Sequence, residues 1–169
     1  VGLDPRLARA AANLARSPLG GRVVDPFVGT GALLAEAALL GARVVGIDRD
    51  PTMIRGALRN FAYLGVSAEA MVEGDSGEVE FAGSPGPFDA LLSDLPYGRS
   101  SGTGGEEAVR LARRVIPRWA GRVRAGGRVV LVLPGGDDPL DPPWRRVLSV
   151  PLRVHRSLTR EFRVYERPP

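Results

Sequence analysis

The chain has 169 residues, 44% of them hydrophobic, which is enough for one compact domain with a sizeable core. It has no cysteine and one histidine, His155, which excludes disulfides, zinc fingers and thiolate catalysis and argues against a metal cluster or a Ser-His-Asp triad. All 23 basic residues are arginine, and the net charge of +4 suits a polyanionic partner, although a solvated, arginine-rich surface is the simpler explanation.

The sequence shows no targeting or membrane segment. No apolar run approaches the roughly 20 residues that a transmembrane helix needs, and nothing resembles a signal peptide. We therefore expect a cytoplasmic protein. No internal repeat or long linker divides the chain, so we expect residues 1–169 to form a single domain.

The first half of the chain alternates predicted helices with predicted strands. Asp-Pro pairs open two of the helices, with aspartate as the capping residue and proline as the first helical residue. The short apolar runs between the helices are typical of buried strands. The predicted elements are a helix over Leu3–Ser17, a strand over Arg22–Asp25, a helix over Ala32–Leu40, a strand over Arg43–Asp48, a helix over Pro51–Leu64 and a strand over Ala70–Glu73.

The second half continues this alternation and ends in two strands. The predicted elements are a strand over Phe88–Ser93, a helix over Glu106–Arg124, a strand over Val129–Leu133 and a final pair over Val147–Val154 and Glu161–Tyr165. Strands that alternate with helices predict an α/β fold with a mostly parallel sheet and helices on both faces. The final strand pair breaks the alternation and predicts an antiparallel terminal strand in a seven-stranded sheet.

Polar residues follow each of the first four predicted strands. Open α/β sheets bind ligands at the carboxyl ends of their strands, so we expect these residues to form one site. The first strand leads into a turn over residues 25–31, whose glycines let a ligand approach a helix N-terminus. Asp48 ends the second strand and suits two ribose hydroxyls, and Asp75 follows the third, where it can accept from an adenine amino group.

A glycine turn followed by an acid on the next strand also fits NAD-dependent enzymes. In this turn Leu34 stands where the dinucleotide fingerprint has its third glycine, and Asp25 would repel a pyrophosphate. Asp25 can instead pair with the cationic amino group of a nucleoside that carries an amino acid. The alternative for Asp25 and Asp75 is that each only caps a local turn.

Two segments together carry a family resemblance. DPFVGTG at residues 25–31 and SDLPYG at residues 93–98 resemble the two hallmark motifs of amino-directed S-adenosylmethionine-dependent methyltransferases. The DPRLAR segment of the first helix and the segment at residues 155–160 resemble, more specifically, the archaeal tRNA guanosine-10 N2-methyltransferase family. The resemblance implies a Rossmann-like class I methyltransferase fold, S-adenosylmethionine as the cofactor, and methyl transfer to the exocyclic N2 amine of guanosine in tRNA.

The resemblance and the chemistry of amine methylation together assign the site residues. Asp94 and the carbonyl of Leu95 would accept the N–H bonds of the target amine, and Tyr97 would stack on the base. The predicted catalytic residues are Asp94, Leu95, Pro96 and Tyr97. The predicted cofactor-binding residues are Asp25, Phe27, Gly29, Thr30, Gly31, Asp48, Arg49, Asp75, Ser76 and Asp94. We predict no metal site.

The chain departs from the family pattern in two places. Leu95 stands where the family usually has a proline. The family also carries an N-terminal THUMP-containing region that binds RNA, and we expect this chain to lack it and to depend on such a region or on a partner subunit. Arg99, Arg156 and Arg160 are the candidates for local phosphate contacts, because they adjoin the predicted catalytic turn or the terminal strand pair. We expect His155 to be structural.

Two other functions remain open at the level of sequence. The first is an amino methyltransferase that acts on DNA adenine or cytosine, on another RNA base, or on a protein glutamine. The second is a non-catalytic cofactor-binding subunit that supports a partner. The intact Asp94 and Tyr97 favour an enzyme over the second alternative.

Overall fold

The computed structural model describes residues 3–80, 86–95, 105–155 and 158–169, and these form four helices and one sheet of seven strands. The strands are β1 (Arg22–Asp25), β2 (Arg43–Asp48), β3 (Ala70–Glu73), β4 (Phe88–Asp94), β5 (Val123–Pro134), β6 (Arg145–His155) and β7 (Leu158–Glu166). The helices are α1 (Pro5–Ala15), α2 (Ala32–Leu39), α3 (Pro51–Leu64) and α4 (Gly105–Ala120). None of these helices is both long enough and apolar enough to cross a membrane.

The strand order is β3-β2-β1-β4-β5-β7-β6. Neighbouring strands from β3 to β5 are parallel, whereas β7 is antiparallel to both β5 and β6. The predicted mostly parallel sheet with an antiparallel terminal strand is therefore confirmed. The antiparallel strand is the last in the chain but not the last in the sheet, because β7 inserts between β5 and the edge strand β6.

Helices cover both faces of the sheet, and the direction of the chain decides which face each helix takes. From β1 the chain moves outward to β3 through α2 and α3, and from β4 it moves the opposite way to β5 through α4. Parallel crossovers are right-handed, so a reversal of direction places the connecting helix on the opposite face. Accordingly, α1, α2 and α3 contribute to one core and α4 contributes to the other.

The inner strands are buried on both faces. In β4, Ala90 and Leu92 face the core under α1–α3, and Leu91 faces the core under α4. This two-sided burial explains why these strands are continuous apolar runs rather than alternating ones. On the α4 side the fully buried Trp119 packs near Phe88, with ring centroids 6.3 Å apart.

Some element boundaries differ from the sequence prediction. Asp4 caps α1 as predicted, but the helix ends at Ala15 because Arg16 takes a left-handed conformation with φ of 50°. The prediction that the fourth helix continues to Arg124 is wrong. It ends at Ala120, and β5 begins at Val123, which pairs with Phe88 across a register shift. The final two strands are also longer than predicted, because their mutual pairing continues to Arg145 and Glu166.

The turn after β1 packs directly on β2. Val28 in the turn donates its N–H to the carbonyl of Ile47 at 2.9 Å. Gly46 leaves space for this approach: a Cβ there would lie 2.8 Å from Val28 Cγ2 and 2.7 Å from Met71 Sδ. The glycine in the second strand is therefore required by the close contact between the turn and the sheet.

We predict that Gly46→Ala lowers the free energy of unfolding by about 1–3 kcal/mol, because the added methyl overpacks the contact with Val28. The matched control is Gly56→Ala in α3. A Cβ at Gly56 would meet Thr30 Cγ2 at 3.5 Å, an ordinary contact, so we expect a gain of about 0.5–1 kcal/mol from helix propensity. Urea denaturation of both variants checks the prediction, and equal stabilities would contradict it.

Candidate functional site

The candidate site lies at the carboxyl edge of the parallel strands, where the strand order reverses between β1 and β4. Such a switch point leaves a crevice because the connections from its two strands leave in opposite directions. Acidic residues lie at the ends of adjacent strands along this edge. They are Asp25 of β1, Asp48 of β2, Glu73 of β3 and Asp94 of β4, and Asp75 follows β3 by two residues.

Asp25 joins the two strands that border the crevice. Its Oδ1 accepts hydrogen bonds from Ser93 Oγ at 2.6 Å and from the backbone N–H of Phe27 at 2.9 Å. The residue is 2% exposed, and burial raises the pKa of its carboxyl group from 3.8 to about 7. The two hydrogen bonds lower this pKa and the charge of Asp48 raises it by smaller amounts. Near neutral pH, Asp25 is therefore poised between its neutral and its charged form.

Two glycines shape the turn between β1 and α2. Gly29 and Gly31 have φ values of 53° and 84°, a left-handed conformation that side chains disfavour. At Gly29, apart from the glycine itself and its two chain neighbours, no heavy atom of the described residues lies within 4 Å of the position that a Cβ would take, so these residues leave space open above the turn. Asn60 of α3 donates its side-chain N–H to the carbonyl of Thr30 at 2.9 Å and anchors the same turn from outside.

Asp48 ties this turn to the end of β2. Its Oδ2 accepts from the N–H of Gly29, and its Oδ1 accepts from the N–H of Asp50, both at 2.9 Å. Each carboxylate oxygen has a second lone pair, so Asp48 retains acceptor capacity for a ligand hydroxyl. The same side chain can therefore hold the turn and receive a ligand.

Asp75 forms the capping turn that was the alternative interpretation of its sequence. Its Oδ1 accepts from the N–H of Gly77 at 2.7 Å, and its Oδ2 lies 3.4 Å from Nη2 of Arg114. Ser76 beside it is buried, and its carbonyl accepts from Nε1 of Trp119 at 2.8 Å. With 39% of its side chain exposed, Asp75 still presents a carboxylate to solvent at the end of β3.

Asp94 ends β4 and forms an ion pair with a buried arginine. Arg160 of β7 donates from Nη2 to Asp94 Oδ1, and its Nη1 lies 3.4 Å from Asp94 Oδ2. Arg160 is 2% exposed, whereas 23% of the Asp94 side chain is exposed. The next residue, Leu95, is 1% exposed and donates its N–H to the carbonyl of Val132 at 3.0 Å, which anchors the turn after β4 to β5.

The structure brings most of the predicted cofactor-binding residues to one edge of the sheet. Phe27 is half-buried, Thr30 and Arg49 are exposed on the turns after β1 and β2, and Ser76 is buried after β3. Some of the predicted roles fall on parts of the chain that the structure does not describe, so they stay predictions. These parts are Pro96, Tyr97, Arg99, Arg156 and the side chain of His155. The suggestion that Arg160 contacts a phosphate is wrong, because this residue is buried and paired with Asp94.

Sequence reasoning missed three partners of the predicted site residues. Ser93 holds Asp25, Arg114 holds Asp75, and Arg160 holds Asp94. A signal for Arg160 was present: it lies two and four residues before Phe162 and Val164, which are apolar and buried on the same strand face. The period of two therefore predicts that Arg160 points inward. The other two contacts join residues far apart in the chain, and no local pattern indicates them.

Comparison with known proteins gives matches along most of the chain. The family model described as UPF0020, RMKL-like, methyltransferase domain, matches residues 1–142. The tRNA (guanine(10)-N2)-dimethyltransferase of Methanothermobacter thermautotrophicus is 34% identical over 168 residues, covering 98% of this chain and 49% of that protein. The enzyme of the same name from Pyrococcus abyssi is also 34% identical, covering 98% and 50%. The chain thus spans about half the length of these curated relatives.

Solved structures share the fold. TrmN from Thermus thermophilus superposes with a TM-score of 0.76 at 23% identity, over 98% of this chain and 49% of that chain. An RNA methyltransferase from Salinibacter ruber, solved with S-adenosyl-L-homocysteine, gives a TM-score of 0.70 at 20% identity, over 100% and 95%. These likenesses and the strand order confirm the predicted class I methyltransferase fold. The chain belongs to the UPF0020 family, the RMKL-like methyltransferase domains.

Proposed function

We propose that this chain is the catalytic domain of an enzyme that transfers a methyl group from S-adenosylmethionine to the N2 amine of guanosine in tRNA. The observation that carries the proposal is the partly exposed carboxylate of Asp94 at the switch point, together with the neighbouring glycine turn, where the described residues leave space open above Gly29. The substrate class is supported by the names of the archaeal relatives, which are tRNA (guanine(10)-N2)-dimethyltransferases.

The residues at the edge of the sheet suit S-adenosylmethionine in charge and in hydrogen-bonding capacity. Both hydrogen bonds described for Asp25 reach Oδ1, which leaves Oδ2 for the ammonium group of the cofactor. Asp48 would accept from the ribose hydroxyls, and Asp75 from the adenine amino group. Gly29 and Gly31 allow the ligand to approach the backbone. We also assign Phe27, Thr30, Arg49 and Ser76 to the walls of this site.

Asp94 would act on the target amine. The lone pair of an exocyclic base amine is delocalised into the ring, which makes the nitrogen a poor nucleophile. S-adenosylmethionine supplies an activated methyl group on a sulfonium centre. When the Asp94 carboxylate and the Leu95 carbonyl accept the two N–H bonds, they favour a pyramidal nitrogen whose lone pair is localised. Positive charge develops on this nitrogen, so its contact with Asp94 strengthens in the transition state.

The base must leave its helix to reach Asp94, and we propose that Tyr97 stacks on it and that Pro96 stiffens the same turn. Recognition of the rest of the tRNA would need more surface than this site offers. We propose that a THUMP-containing region, in the same protein or in a partner subunit, supplies it. The chain's net charge of +4 would add a weak, salt-dependent attraction to the phosphate backbone.

We predict that Asp48→Ala weakens S-adenosylmethionine binding about ten- to hundredfold, because a charge-assisted pair with the ribose is lost. Isothermal calorimetry measures this change. Asp50→Asn is the matched control, since asparagine also caps α3 and, among the described residues, the side chain of Asp50 accepts hydrogen bonds only from Thr52 in the first turn of this helix. An unchanged affinity in a folded Asp48→Ala variant would remove Asp48 from the site.

The raised pKa of Asp25 predicts two effects of pH. In the ligand-free protein the neutral carboxyl is favoured below about pH 7, so this group lowers stability as pH rises from its unfolded pKa of 3.8 through about 7. The free energy of unfolding of the wild type relative to Asp25→Asn should therefore fall by about 2–3 kcal/mol between pH 5 and pH 8, because about two pH units of this window lie below the raised pKa. Melting temperatures of the two proteins across this range check the fall.

Binding of the cationic ammonium group needs the charged form of Asp25. Wild-type affinity for S-adenosylmethionine should therefore rise several-fold from about pH 6 to pH 7.5, whereas Asp25→Asn, which has no charge to gain, should show a flat profile. Calorimetry across this range decides the point. Parallel profiles for the two proteins would show that Asp25 organises the turn without touching the cofactor.

The reaction itself is tested by incubating an unmodified tRNA transcript with the chain and methyl-labelled cofactor, followed by mass spectrometry of the nucleosides. We expect labelled N2-methylguanosine or N2,N2-dimethylguanosine. Asp94→Asn should reduce the single-turnover rate at least about a hundredfold, with cofactor affinity changed less than about threefold. A label in adenosine or cytidine, or in no nucleoside, would overturn the proposed function. Near wild-type turnover by Asp94→Asn would overturn only the role of Asp94.

A further inference from the structure

We propose that Arg160 is a positioning residue for methyl transfer, which holds the Asp94 carboxylate charged and fixed in one orientation toward the target amine. The inference rests on the proposed function and adds to it a residue on the last strand, outside both methyltransferase motifs. Its basis is the two-point contact between the Arg160 guanidinium and the Asp94 carboxylate.

The sheet register explains how Arg160 reaches Asp94. Asp94 pairs with Val132 of β5, and Arg160 pairs with Pro134 of the same strand, two residues nearer the carboxyl edge. β5 therefore separates the two residues, and two strand spacings amount to about 9–10 Å. Among cationic side chains, arginine combines the length to cross much of this gap with two donors in a planar fork.

The two partners of the ion pair differ in exposure, and this difference indicates which of them fixes the position of the other. Arg160 is 2% exposed and lies in an inner strand that pairs with β5 on one side and with β6 on the other. Its position is thus determined by the sheet. Asp94 ends its strand and has 23% of its side chain exposed, so the surrounding backbone restrains it less. The arginine therefore orients the carboxylate, and the carboxylate keeps an accessible edge.

This arrangement suits an acceptor of amine N–H bonds. A carboxylate has about four lone-pair positions, and a guanidinium fork occupies one side of it. The remaining positions stay available to a substrate. A cation at this distance also favours the charged form of the carboxylate, which is the form that stabilises positive charge developing on the amine. Burial lowers the pKa of Arg160 only to about 10, so the guanidinium is charged at neutral pH.

The chain contains a matched control for the burial of an arginine in β7. Arg163 is 3% exposed and lies three residues further along the same strand. Its guanidinium contacts Glu161 at 2.7 Å and Asp138 at 3.2 Å, and neither carboxylate belongs to the candidate site. Replacement of Arg163 therefore measures how much a buried arginine of this strand contributes to stability, without affecting a carboxylate of the candidate site.

The test compares Arg160→Gln, Arg160→Lys and Arg163→Gln in single-turnover methylation of an unmodified tRNA transcript at saturating cofactor, as a function of pH. Arg160→Gln should slow the rate at least about tenfold, and the acid limb of its pH–rate profile should move up by about one pH unit.

Arg160→Lys keeps the charge but loses the fork, so its acid limb should stay near that of the wild type while its rate falls by a smaller factor. Arg163→Gln should melt at a lower temperature but keep its rate within about twofold when assayed below that temperature.

Calorimetry with S-adenosylmethionine separates positioning from general damage, because both Arg160 variants should bind it within about twofold of the wild type. A folded Arg160→Gln variant with a wild-type rate and pH profile would overturn the inference. If that variant does not fold, either of two results would overturn the inference. One is a wild-type rate and pH profile in Arg160→Lys. The other is a loss of single-turnover rate in Arg163→Gln that equals the loss in Arg160→Lys. These results are distinct from failure of the proposed function, which is a wild-type protein that methylates no guanosine.

Discussion

The hydrogen bond from Ser93 to Asp25 connects the parts of this molecule that carry its chemistry. It spans the switch point between β1 and β4, where the two strands part to follow opposite crossovers. On one side of this bond lies the glycine turn proposed for the cofactor, and on the other lies Asp94, proposed for the substrate. A buried carboxylate needs such hydrogen bonds because its desolvation is costly. The bond that satisfies Asp25 therefore also fixes the spacing of the two half-sites.

Several arginine side chains lie in the interior of this protein, where apolar side chains are more usual. Arg160, Arg163 and Arg128 are all buried residues of β7 and β5, and each contacts a carboxylate. Arg128 also donates to the carbonyl of Leu14 and so fastens the end of α1 to the sheet. The planar guanidinium can satisfy several acceptors at once, which makes arginine suitable for a buried pair. The arginine content of this chain is therefore not only a matter of surface charge.

The two sides of the candidate site differ in how they are anchored. The cofactor side is built from turns between consecutive elements, and one of its contacts, that between Asp48 and Gly29, joins segments close in the sequence. Asp25 and Asp75 also have partners from further along the chain, Ser93 and Arg114. On the substrate side, Asp94 pairs with Arg160, 66 residues later in the chain. The ion pair on the substrate side therefore depends on the position of the final strand between β5 and β6.

The sequence by itself determined the helices, the strands, the strand-end aspartates and the glycine turn, because each leaves a local signal. Capping aspartates mark the starts of α1 and α3, continuous apolar runs mark strands buried on both faces, and glycines mark left-handed turns. The motifs at residues 25–31 and 93–98 likewise depend on short-range chemistry. Their placement at one edge follows from a general property of parallel sheets.

Only the tertiary structure decided which side chains meet across the sheet. The order that inserts β7 beside β5 gives Asp94 a buried cationic partner, and α4 brings Arg114 to Asp75. The early start of β5 is also a tertiary effect, since Val123 becomes a strand residue by pairing with Phe88. Such contacts depend on strand order and register, which are settled by the packing of the whole sheet. The period of two in β7 indicates that Arg160 points inward, but it does not identify the carboxylate that Arg160 meets.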